Sequence, residues 1–91
     1  MFLYSVWFRN TSADVSDQDY EWVACFQIEA ESHQKAIEWG DHLSHGYCKA
    51  NPEEIFISSN VEFLIHEEQV NLLGLPIIQY GFEASALEIG W

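Results

Sequence analysis

The stretch Tyr20-Glu21-Trp22-Val23-Ala24-Cys25-Phe26-Gln27-Ile28-Glu29-Ala30-Glu31-Ser32 decides the fold. Tyr20, Trp22, Ala24, Phe26, Ile28 and Ala30 fall on one side of an extended chain. Glu21, Val23, Cys25, Gln27, Glu29 and Glu31 fall on the other. Period-two alternation marks a strand with one buried face, and slipping it by one residue would turn the aromatics to solvent. Ser32 then offers a hydroxyl that can accept from a free N–H of a first helical turn. Strand therefore passes directly into helix at Ser32.

Upstream, Phe2 to Arg9 alternates in the same way. Phe2, Tyr4, Val6 and Phe8 share one face, and Leu3, Ser5, Trp7 and Arg9 the other. Asn10 to Asp19 is polar and rich in Asn, Ser and Asp, which bond their own backbone in turns. The two strands are expected to form an antiparallel hairpin across that loop. Downstream, a helix is expected from His33 to His45. Ala36, Trp39, Gly40 and Leu43 form its apolar stripe, with Gly46 as a left-handed C-cap. Asn51-Pro52 blocks continuation. Ile55, Ile57, Val61, Phe63 and Ile65 alternate in a third strand, with a break expected near Ser58-Ser59-Asn60. Pro76 to Phe82 reads as an edge-like strand.

These elements make one domain, residues 1–91, of class α+β: strands 2–9 and 20–30, helix 33–45, strands 55–65 and 76–82. A hairpin, a crossover helix and a further strand resemble half of a ferredoxin-like sheet, carried here by Ile28-Glu29-Ala30-Glu31-Ser32 leading into Ala36 and Ile37. A right-handed crossover sets the third strand parallel to the second. One main helix covers one sheet face only. Leu3 and Trp7 on the other face, and Leu72, Leu73, Leu75, Ile77, Ile78 and Trp91 in the tail, need a second layer or a partner. A homodimer is one expected solution.

Fifteen carboxylates face three basic residues, Arg9, Lys35 and Lys49, giving a formal net charge of −12. From Ala50 to Trp91 there is no Lys or Arg. Such a field repels nucleic acid and anionic membranes and attracts basic proteins. Direct nucleic-acid binding and membrane binding are therefore not expected. A composition with 15% aromatics places the charge on a folded chain, not a disordered one. No apolar run reaches the roughly 18 residues of a spanning helix, and the N-terminus lacks the pattern of a secretory signal. Cys25 and Cys48 are expected as free thiols in a reducing cytoplasm.

The helix carries Glu38, Asp41, His42 and His45. Glu38–His42 and Asp41–His45 are spaced i,i+4 and could offer carboxylate and imidazole to a divalent metal. Yet no C-x-x-C or H-E-x-x-H is present, and a solvated face is the plainer expectation. His45 near Cys48 begins a thiol nucleophile, but nothing marks an orienting third group or an oxyanion hole. The paired acids Glu53-Glu54 and Glu67-Glu68 point to opposite faces if extended, so they do not form a carboxylate pair across a cleft. The scattered glycines match no phosphate loop, and no cofactor is expected. The pattern suggests a small acidic binding protein without catalytic residues, of inhibitor, immunity or nucleic-acid-mimicking type, docking a basic protein. Glu67, Glu68 and Glu83 are the expected charged contacts, and Trp7 and Trp91 the aromatic anchors. A structural or oligomeric domain with no active site is the alternative, and a small enzyme or metal-binding protein using Glu38, Asp41, His42 and His45 ranks behind both.

Overall fold

A computed structural model describes residues 1–66, 68, 70, 71 and 74–91. It contains strands β1 (Phe2–Asn10) and β2 (Glu21–Glu29), helix α1 (His33–Ala50), strands β3 (Glu54–Phe63) and β4 (Ile77–Gln79), and a short helix α2 (Ala86–Ile89). The strands form a mixed sheet in the order β3-β1-β2-β4, with α1 packed on one face, so the fold is a small α+β domain. β1 runs antiparallel to both β2 and β3. β2 and β3 are therefore parallel to one another with β1 between them, the arrangement a split crossover gives. β4 joins the far edge parallel to β2.

The hairpin loop is held by its own side chains. Asn10, Asp14 and Asp17 each accept from the backbone N–H two residues on, at Ser12, Ser16 and Asp19. The N–H and hydroxyl of Ser16 hold the Asp14 carboxyl below its ordinary range.

Phe2, Tyr4, Val6, Phe8, Ala24, Phe26, Ile28 and Val61 form the buried sheet face under Ala36 and Leu43 of α1. Ser32 caps the helix as expected, its hydroxyl accepting from the Lys35 N–H. The helix continues past His45 to Ala50 and is capped by Asn51. Gly46 is not a left-handed cap: the glycines with positive φ are Gly74, Gly81 and Gly90. Tertiary packing outweighs its poor helix propensity, because Tyr47 lies against Phe8 and Trp22 and draws the last turns onto the sheet. β3 is continuous through Ser58-Ser59-Asn60, with its irregularity opposite Trp7 and Phe8. There Trp7 faces Ser58 and Phe8 faces Phe56, leaving Ile57 as the extra residue of a β-bulge.

The tail serves both faces. On the side away from α1, the buried amide of Gln27 donates to the carbonyls of Val70 (3.3 Å) and Leu75 (3.0 Å), tying these two residues to one end of the sheet. On the helix side, Trp39 Nε1 donates to the Phe82 carbonyl at 3.0 Å, and Trp91 closes an aromatic cluster with Phe8, Phe26 and Tyr47. The left-handed Gly90 (φ 90°) turns the chain after α2 so that Trp91 can enter it.

Candidate functional site

The sheet face opposite α1 carries the odd-numbered residues of β1 and β2. At its Gln27 end, the Gln27 amide is held by the carbonyls of Val70 and Leu75. The other end is open. Trp7 is 44% exposed, and Val23, its register partner on β2, and Ile55 of β3 are exposed beside it. Ile57 is exposed at the bulge adjoining Trp7. Four large apolar side chains thus meet solvent on three adjacent strands, where a monomer usually scatters such residues.

Carboxylates share this face. Glu21 flanks Val23 at the open end, while Glu29 and Glu62 lie at the Leu3 end, Glu62 being the register partner of Leu3. The nearest cation, Arg9, is engaged: its Nη2 lies 3.2 Å from Glu21 Oε1, and its guanidinium stacks over Tyr20. Lys35 is likewise held by Glu31 (3.3 Å) and the Tyr80 ring. The third, Lys49, is in the last turn of α1. Basic groups therefore cancel little of the negative field around the shelf.

The expected contact residues divide. Trp7 lies on the open face. Glu68 and Glu83 are exposed, but Glu83 is drawn to the helix side by His42, whose Nε2 is 2.6 Å from its Oε1. Glu67 lies outside the described residues. Trp91 is withdrawn from the surface role expected of it, because its ring packs among Phe8, Phe26 and Tyr47.

The four metal-ligand residues of α1 do not converge. Asp41 accepts from the hydroxyls of Tyr4 (2.8 Å) and Ser59 (2.6 Å) under the helix. His42 stacks on Trp39 and pairs with Glu83. His45 packs over Phe56, and Glu38 is exposed. Among the described residues no three metal-binding side chains come together. Spacing put these groups on one helix, but Tyr4 and Ser59 claim Asp41 from the sheet.

Cys25 and Cys48 are free thiols. Burial pushes the Cys48 thiol up, and the nearby negative charge of Glu54 pushes it further. Thiolate formation is opposed there, which is the reverse of what a cysteine nucleophile needs. A cleft of about 390 Å³ opens between the C-terminal half of α1 and Glu83–Ala86, lined by His42, Leu43, Tyr47, Asn51 and Trp91. Burial, with Glu54 and Glu53 nearby, also raises the Tyr47 phenol.

Two features had no local signature in the sequence: the buried Gln27 clasp and the Tyr4–Asp41–Ser44–Ser59 polar cluster. Gln27 sits at a position that alternation assigns to solvent, and Asp41 at one that helical spacing assigns to the polar face. Compared with known proteins, the chain matches no protein-family model, no curated protein and no solved structure.

Proposed function

We propose that this chain is a non-catalytic cytoplasmic binding protein that docks a basic protein partner on the open end of the sheet. The observation that carries this reading is the exposed Trp7, Val23, Ile55 and Ile57 shelf on a sheet face that also carries Glu21, Glu29 and Glu62, with the nearby cation Arg9 already paired to Glu21. Apolar centres with a large aromatic supply most of the energy at protein interfaces, while a charged rim steers the encounter and rejects wrong partners. An inhibitor or a mimic of nucleic acid uses the same division of labour, presenting carboxylates to residues that otherwise bind phosphate.

Charge favours a foreign partner over a second copy. Two chains at −12 repel one another, and burying the shelf in a homodimer would bring two like-charged molecules face to face. The same field opposes direct binding to nucleic acid. No helix among the described residues is long and apolar enough to cross a membrane.

The test is capture on immobilised protein at low and moderate salt, with Trp7→Ser and a Glu21→Gln/Glu62→Gln pair alongside. A basic protein retained by the native chain, weakened by salt and lost with Trp7→Ser supports the docking role. Retention unchanged in both variants removes it.

A further inference from the structure

The two edges of the sheet are unlike. β4 is three residues long and follows Pro76, which has no N–H to offer a ladder. β3 is ten residues long and contains no Pro, Lys or Arg. Soluble proteins guard free edges with those residues, with cover or with bulges. Of these devices β3 has the bulge at Ile57 and the buried charge of Glu54, both ahead of Ser58, and one exposed charge, Glu62, within Ser58–Phe63. Beyond the bulge, Ser58 to Phe63 pairs with β1 without interruption, and among the described residues no strand pairs with its other side.

That stretch is apolar and acidic at once. Phe63 lies on the α1 side of the sheet, tilted against Phe2, yet is 56% exposed. Glu62, on the opposite face, is exposed as well. The edge adjoins the Trp7 shelf, since Ser58 is the register partner of Trp7. A chain crossing the shelf toward β3 would thus meet a row of backbone groups that no described strand pairs, with side-chain contacts on both faces.

We propose that Ser58–Phe63 receives an extended, Lys- or Arg-bearing segment of the partner as a fifth strand, a proposal that rests on the basic-partner reading. Strand addition draws affinity from main-chain hydrogen bonds and selectivity from alternate side chains. Here Glu62 selects a cation on one face and Phe63 an apolar residue on the other. A second copy of β3 would bring Glu62 and Phe63 instead, with no Lys or Arg anywhere from Ala50 onward.

The experiment uses isotopically labelled full chain and two short synthetic peptides of alternating Val and Lys, identical except that one is N-methylated at alternate amides. Both carry the same charge, but only the unmodified peptide can pair along an edge. The proposal expects saturable amide shifts and slowed hydrogen exchange at Ser58–Phe63 with the unmodified peptide, and binding at least about tenfold weaker for the methylated one. Equal binding by both, with shifts centred on Trp7, Val23 and Glu21, overturns strand addition and leaves docking on the shelf standing. Binding by neither at millimolar peptide and low ionic strength overturns both. Protection of Ser58–Phe63 in the peptide-free chain, with sedimentation as a dimer, assigns the edge to a second copy and overturns the proposal.

Discussion

A Cβ placed on Gly40 would stand 2.2 Å from the ring of Tyr4. Tyr4 is fully buried at the centre of β1, so its ring has no free side to retreat to. The close approach lets α1 lie directly on the sheet. Substituting Ala would add about 1 kcal/mol of helix propensity but force overpacking of one to several kcal/mol. Gly40→Ala is expected to lower stability by about 1–3 kcal/mol in urea denaturation. An unchanged or raised midpoint would show that α1 can move off Tyr4 freely.

The Tyr4 hydroxyl donates to Asp41 and lies 2.8 Å from Ser44 Oγ. Burial pushes the phenol well above its ordinary range, and the Asp41 carboxylate adds to the shift. The sign follows from proton binding. Below the ordinary tyrosine pKa of about 10, folded and unfolded chains both hold the proton; above it the unfolded chain loses it first. Stability is therefore expected to fall as pH rises from about 10, and Tyr4→Phe should flatten that fall. The same variant should cost about 1–2 kcal/mol at neutral pH, because Asp41 and Ser44 lose a partner. Urea midpoints between neutral and alkaline pH check both parts.

Trp91 has its own consequence. Its contacts with Phe8, Phe26 and Tyr47 make it part of the core. Trp91→Ala is expected to destabilise by about 2–4 kcal/mol, near the scale of large-to-small core changes. Trp7→Ser, on the open face, should leave the thermal midpoint within a few degrees of the native one. Equal losses from the two would contradict the separation of core and docking aromatics.

The Cys48 thiol, raised by burial and by Glu54, should alkylate with iodoacetamide more slowly at pH 8 than cysteine in an unfolded peptide. Mass spectrometry of the labelled peptides reads the rate. Faster labelling would reopen the His45–Cys48 pair as a nucleophile.

The hairpin, the helix start and the buried aromatic faces were legible because each follows a local rule: alternation in Phe2–Arg9 and Tyr20–Ala30, and a capping hydroxyl at Ser32. Trp7 was legible as a residue on the uncovered face for the same reason. The remainder depends on contacts distant in sequence. Gly46 looked like a stop signal because nothing nearby announces that Tyr47 will pack on Phe8. Gln27 looked solvated because its acceptors, the carbonyls of Val70 and Leu75, lie more than forty residues away. Trp91 looked like a surface anchor because the tail has no periodicity to place it. Asp41 looked like part of a solvated helix face because its partners, the hydroxyls of Tyr4 and Ser59, come from two different strands.

The most direct measurement is quantitative binding of the captured basic partner to native chain, Trp7→Ser and Trp91→Phe, with a thermal melt of each. The account predicts a loss of at least about tenfold in affinity for Trp7→Ser with little change in melting, and near-native affinity for Trp91→Phe. Native affinity in Trp7→Ser, with its fold intact, would contradict docking on the open sheet face.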